Sequence, residues 1–172
     1  NEAIYLPYLY HCEVNVAKRI RQLLKAEAKH QINSAAVLKN LQHPKTRSIT
    51  YDEVQLDAIK TAVASKCMIL TGGPGTGKTT TTGGIIETFR LSKAHILCAA
   101  PTGRAAKRMA EATGMEAKTI HRLLEFKPPL GYQRNSSNLL EGDVLILDEC
   151  SMIDISLMYN LLKAIPNGMR LI

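Results

Sequence analysis

The stretch Gly72-Gly73-Pro74-Gly75-Thr76-Gly77-Lys78-Thr79 constrains this chain more than any other. It fits the pattern GxxxxGK[ST], with an apolar run, Met68-Ile69-Leu70, before it and a helix-compatible run through Ile85, Ile86 and Phe89 after it. Glycines at Gly72, Gly75 and Gly77 allow positive φ and keep Cβ atoms away, so successive N–H groups can turn inward on phosphate oxygens. The helix that follows adds its own N-terminus, whose free N–H groups and dipole favour the same anion. In this pattern Lys78 reaches the β- and γ-phosphates and the Thr79 hydroxyl offers a ligand to Mg²⁺. A parallel sheet with helices on its faces is the fold that presents such a loop.

At 172 residues and 45% hydrophobic content, the chain buries one core and a small appendage, not two full domains. No apolar run approaches the roughly 18 residues of a membrane span, and Asn1-Glu2-Ala3 does not open a signal peptide. Cys12, Cys67, Cys98 and Cys150 are dispersed, without the paired spacing of a zinc site, and read as reduced thiols of a cytoplasmic protein. A net charge of +7 is compatible with a polyanionic partner, although ATP itself is an anion.

Residues 1–45 read as a helical N-terminal region. Val16, Ile20, Leu23 and Leu24 recur at helical spacing among Lys18, Arg19, Arg21 and Lys25, so the spacing predicts an amphipathic helix with a solvated basic face. The preceding Tyr5, Tyr8 and Tyr10 suit a packing anchor or base stacking. A second helical run, Ala35 to Leu41, follows the capping residues Asn33-Ser34 and ends at His43-Pro44. The main unit, 46–172, opens with a helix whose face would be Tyr51, Val54, Leu56, Ile59 and Val63, with Thr50 and Glu53 as a capping box. Gln55 stands on that helix with an amide able to donate and to accept.

After the loop's helix, His95 to Ala100 reads as a buried strand running into Pro101-Thr102-Gly103-Arg104, where Thr102 can cap the next helix or donate to a phosphate. Arg104, Lys107 and Arg108 lie in its first turns, and Thr119-Ile120-His121-Arg122 adds donors. Taken alone, this is an ordinary strand-to-helix turn. Lys127 to Asn138, with Pro128-Pro129, Gly131 and Asn135-Ser136-Ser137, reads as a loop. Val144 to Leu147 is a continuous apolar run, as for a strand buried on both faces, and Asp148-Glu149 emerge at its C-terminal end. In a P-loop protein this is the Walker B position, where Asp148 holds the metal's hydration shell and Glu149 polarises water. Asp154 to Ile165 is a further helix, and Met169 to Ile172 begins a strand, which suggests an N-terminal fragment of something longer.

The ordered set YDEVQLDAI from Tyr51, GGPGTGKTTT from Gly72, APTGRAAKRM from Ala100, TIHRLL from Thr119 and LDECSM from Leu147 is similar to superfamily 1 DNA helicases. Within them it looks most like the RecD-like branch, which includes the exodeoxyribonuclease V alpha subunit. The resemblance implies an α/β P-loop NTPase fold with a RecA-like domain, incomplete at its C-terminus, and an ATP-dependent DNA helicase moving 5′ to 3′. It implies ATP held by Gln55, Gly73, Pro74, Gly75, Thr76, Gly77, Lys78, Thr79 and Thr80, with Mg²⁺ on Thr79 and Asp148. Lys78, Asp148 and Glu149 would be catalytic, and Pro101, Thr102, Gly103, Arg104, Thr119 and His121 would face single-stranded DNA or duplex ends. Subunits of a nuclease–helicase complex are the partners implied, with no membrane. Cys150 stands where that family often has alanine. The family's second motor domain and arginine fingers would lie beyond Ile172, leaving this piece able to bind Mg-ATP while scarcely hydrolysing it. The alternatives are a module in which nucleotide merely gates binding to DNA or protein, and a small-molecule phosphotransferase, for which no acceptor pocket is visible.

Overall fold

The computed structural model describes residues 4–32, 50–73 and 75–172. The helical run expected at Ala35 to Leu41, its caps and its Pro44 break lie outside these residues.

Four parallel strands form the centre: β1 (Ile96–Ala100), β2 (Ala117–Thr119), β5 (Val144–Leu147) and β6 (Arg170–Leu171), in the order β2-β1-β5-β6. Beyond β6, the segment leading into the glycine-rich loop joins through a single parallel bridge, Cys67 to Leu171. Met68 N–H donates to Leu171 O at 3.0 Å and Leu171 N–H to Lys66 O at 3.0 Å. The apolar run Met68-Ile69-Leu70 before the loop is therefore extended but barely laddered. Its neighbour β6 is only two residues long, and Ile69 is 90% exposed.

The buried strands alternate as a two-faced sheet requires. Ile96 pairs with Val144 and Cys98 with Ile146, and all four enter a core with Ile59, Ile85, Ile86 and Phe89. Leu97 pairs with Leu145 and Ala99 with Leu147, and these face Leu123, Leu124, Leu161 and Leu162. The first face is covered by α2 (Glu53–Ala64), α3 (Lys78–Leu91) and α4 (Gly103–Thr113); the second by α1 (Pro7–Lys25), α5 (Ile120–Leu123) and α6 (Ile155–Ala164). The crossovers β1-α4-β2 and β5-α6-β6 run outward in opposite directions, so right-handed connection puts their helices on opposite faces.

Four expectations are corrected by the packing. Helix α2 is capped by Asp52 and Gln55, not by Thr50 and Glu53, because Asp52 caps the start that turns Ile59, Ala62 and Val63 inward; Val54 is left 79% exposed. On α1, Cys12, Val16, Ile20 and Leu23 face the core while Leu24 is exposed. Arg19, expected on a solvated face, crosses to α6, where it donates to Leu162 O at 3.2 Å, Ile165 O at 2.5 Å and Asn167 Oδ1 at 2.5 Å. Helix C-termini leave carbonyls unpaired and carry partial negative charge, which is why a guanidinium docks there. Last, the loop expected from Lys127 contains an antiparallel hairpin, β3 (Phe126–Lys127) and β4 (Gly131–Tyr132). Phe126 lies opposite Tyr132 with ring centroids 4.9 Å apart, and such a pair steadies strands too short to show any periodicity.

Candidate functional site

Because the four strands of the central sheet are parallel, every segment leaving one of their C-terminal ends emerges on one edge of that sheet. Along that edge stand Thr119 after β2, Pro101 to Arg104 after β1, Asp148-Glu149 after β5, and the glycine-rich loop beyond β6. Strands lie about 4.8 Å apart, so two spacings, about 10 Å, separate the carboxylate strand from the loop's strand. The intervening β6 opens that gap.

The loop is shaped by its own contacts. Gly75 and Gly77 have φ of +75° and +76°, as expected, but Gly72 does not. Gly72 is required for space: a Cβ there would meet Thr76 Oγ1 at 2.6 Å and the Lys78 side chain at 3.5 Å. Thr76 Oγ1 donates to Gly73 O at 2.8 Å, closing the turn. Pro74 lies outside the described residues. Helix α3 starts from Gly77 with no side-chain cap, so its first N–H groups are left for an external acceptor. Lys78, Thr79 and Thr80 are exposed beside them. Gln55 is two things at once: its Oε1 accepts from Asp52 N–H at 3.1 Å in the capping box, and its Nε2 occupies the space a Cβ on Gly77 would take.

At the end of β5, Asp148 N–H donates to Ala99 O at 3.0 Å, and Asp148 Oδ1 accepts from Glu149 N–H at 2.9 Å. Glu149 then adopts φ +53°, a left-handed conformation that costs a non-glycine residue about 1–2 kcal/mol. Both carboxylates are exposed on the edge. Cys150 is exposed, yet desolvation by its neighbours, with Asp148 and Glu149 adding to it, pushes its thiol above its ordinary pKa. Thr79 and Asp148 supply two hard oxygen donors, the few protein ligands Mg²⁺ takes when phosphate and water complete its shell. Among the described residues no group of three or more His, Cys, Asp or Glu side chains could hold a metal.

At the other end of the edge, Thr102 Oγ1 accepts from Ala105 N–H at 3.2 Å and Thr119 Oγ1 from Arg122 N–H at 3.2 Å. Each hydroxyl caps a helix as acceptor, leaving its proton free to donate outward. Pro101 is half-buried, and Gly103, Arg104 and His121 are exposed. Lys107 pairs weakly with Glu111 at 3.9 Å.

The AAA domain family matches residues 55–172. This chain belongs to the AAA domain family. Among its relatives, the ATP-dependent RecD2 DNA helicase of Deinococcus radiodurans is 36% identical over 98% of the chain and 23% of that protein. The RecBCD enzyme subunit RecD of Mycobacterium tuberculosis is 38% identical over 71% of the chain and 25% of the relative. The RecBCD enzyme subunit RecD of Haemophilus influenzae is 33% identical over 99% and 30%. The RecD-type resemblance read from the motifs holds over nearly the whole chain, which spans less than a third of these relatives' length.

Two features of this AAA domain carry no motif. A cavity of about 190 Å³ beside α3 is lined by Tyr51, Thr79, Thr80, Gly83, Glu87 and Thr113. Gly83 lines it with nothing within 4 Å of its Cβ position, while Gly84 lets α3 pack against Ile59 and Tyr51, since a Cβ there would meet Ile59 Cδ1 at 2.6 Å and the Tyr51 ring at 3.0 Å. The sequence signal for it is the pair Gly83-Gly84 inside a helix, where glycine is otherwise unfavourable. The second is an aromatic cluster: His121 lies 5.8 Å from both Phe126 and Tyr132, with Phe126 44% exposed. Only the hairpin fold brings these rings together. No helix among the described residues is long and apolar enough to cross a membrane.

Proposed function

We propose that this chain is the ATP-binding part of the first motor domain of a RecD-type, ATP-dependent DNA helicase, moving 5′ to 3′ on single-stranded DNA. The observation that carries the reading is the shared edge: uncapped helix start and Lys78, then Asp148-Glu149, then the threonine-capped turns with exposed cations, in one line. The domain division near residue 45 belongs to the same proposal, as do duplex ends as substrate, partner subunits in a nuclease–helicase assembly and a cytoplasmic setting.

In this proposal the N–H groups at the start of α3 and the Lys78 ammonium bind the triphosphate and hold the charge that grows on it as the terminal bond breaks. Thr79 and Asp148 would hold Mg²⁺, which when bound neutralises phosphate charge. Glu149 accepts the proton of the attacking water, and its left-handed backbone keeps that carboxylate on the edge. The Gln55 amide, fixed by Asp52, braces the loop at Gly77 and reads the base, while Tyr51 and Thr80 wall the cavity beside it. At the far end Thr102, Arg104 and Thr119 donate to DNA phosphates, and the exposed Phe126 ring offers a stacking surface next to His121.

The test is the ATPase rate of the full-length parent that contains this domain, with and without single-stranded DNA, using Lys78→Ala as the blank. DNA-stimulated turnover that vanishes in the variant is expected of the full motor. A flat rate together with nucleotide-dependent DNA affinity would favour a gated binding module instead.

A further inference from the structure

A second groove, of about 290 Å³, lies on the opposite face from the α3 cavity, in the seam between α1 and α6. Its walls carry Lys18, Arg19 and Lys163 with the amides of Asn15 and Gln22, and no carboxylate. Two of the cations are held in place. Arg19 is fixed on the end of α6, and the Lys163 ammonium stands over the Tyr159 ring, 5.1 Å from its centroid. Lys18 is exposed. Helical spacing places Lys18, Arg21 and Lys25 along one stripe of α1, so the groove has a basic lip extending past it. Three cations with no acid between them repel one another, and an anion relieves that repulsion.

The groove is continuous with the edge. The helices run parallel, since Tyr8 pairs with Ser156 at 2.9 Å, His11 with Tyr159 at 3.3 Å and Arg19 with Leu162. At the top, Ser136, just after the hairpin, lines the groove, and Tyr132 packs on the same core as Val16, Ile20 and Leu157, so the hairpin stands beside the seam. From Tyr8 to Lys18 is about 15 Å of helix. A row of fixed cations with amide donors suits a phosphodiester backbone better than a single small anion, because the charges are spread along the seam.

We infer that the α1–α6 seam is a second nucleic-acid contact, in which Lys18 and Lys163, with the charge of Arg19 beneath them, hold backbone phosphates of a strand that leaves the edge past His121 and Phe126. This rests on the DNA reading above. The test is fluorescence anisotropy of a labelled single-stranded oligonucleotide titrated at several salt concentrations, for the parent chain, Lys18→Gln, Lys18→Gln/Lys163→Gln and Arg104→Ala. Each lost phosphate contact lowers the slope of log affinity against log salt by about 0.7 on single strands, so the single variant should lose about 0.7 and the double about 1.4. Between about 50 and 200 mM salt, the double variant's affinity should then fall about sevenfold less than the parent's. An unchanged slope in both lysine variants, with a reduced one in Arg104→Ala, overturns the seam and leaves the DNA reading standing. No oligonucleotide binding by the parent chain overturns both. If poly-glutamate binding depends on the two lysines and oligonucleotide binding does not, the groove takes an acidic protein segment and the inference is wrong.

Discussion

Gly77 meets two separate demands, a φ of +76° and a Cβ position already taken by the Gln55 amide. Gly77→Ala should therefore destabilise the protein by about 1–2 kcal/mol from the backbone alone and remove nucleotide binding as well. Gly83 has no positive φ and nothing within 4 Å of its Cβ position, so Gly83→Ala in the helix interior should stabilise by about 0.5–1 kcal/mol. Urea midpoints measure both, and equal shifts of one sign would refute the distinction. Another residue ties stability to pH. Burial pushes the Cys98 thiol up to about 11 from 9.0. The folded state keeps its proton where the unfolded chain loses it, so the contribution is whole below about pH 9 and disappears as pH rises through about 11. Against Cys98→Val, the stability difference should shift by about 2–3 kcal/mol across that window to the parent's disadvantage. A difference that is constant with pH would mean the thiol does not stay protonated in the core.

Among the elements, α1 depends on one side chain for its attachment to α6. Hydrogen bonds from a charged donor contribute about 1.5–3 kcal/mol, and of the four that Arg19 makes, three reach Leu162, Ile165 and Asn167 at the end of α6. Arg19→Ala should destabilise by about 2–3 kcal/mol, and Arg19→Lys should recover little, because an ammonium cannot span three acceptors set for a planar fork. A loss below about 0.5 kcal/mol in urea unfolding would show that the apolar seam alone holds the helix. This role was not legible in the sequence. Spacing shows that Val16, Ile20 and Leu23 face inward, but a basic residue beside them reads as solvated until the partner helix's end is located. The strands β1 and β5 were legible because four or five consecutive apolar residues fit nothing else of that length. Asp52 and Thr50 both had an acceptor partner three residues on, and only the burial of Ile59 and Val63 decides between them. The hairpin was hidden for another reason: Pro128-Pro129 and Gly131 are turn residues whether or not short strands flank them.

For the whole molecule, the parallel sheet converts sequence order into position. Motifs that lie between residues 72 and 149 in the chain become neighbours along one edge, so the candidate site was largely legible in the sequence, whereas the seam on the far face, made by helices distant in the chain, was not. The same arrangement separates binding from turnover in a testable way. Lys78 and the α3 start lie beyond β6, whereas Glu149 lies two strand spacings away, apart from the N–H groups proposed to cradle phosphate. Nucleotide that binds only the folded state stabilises it by about 2.7 kcal/mol at a hundredfold excess over Kd, which for a chain of this size is a rise of about 5–10 °C in Tm. With Mg-ATP, Glu149→Gln should keep that rise in this chain and lose turnover in the full-length parent, while Lys78→Ala should lose both. A Glu149→Gln protein that no longer shifts would place Glu149 in binding, and the division of labour between the C-terminal end of β5 and the loop would have to be abandoned.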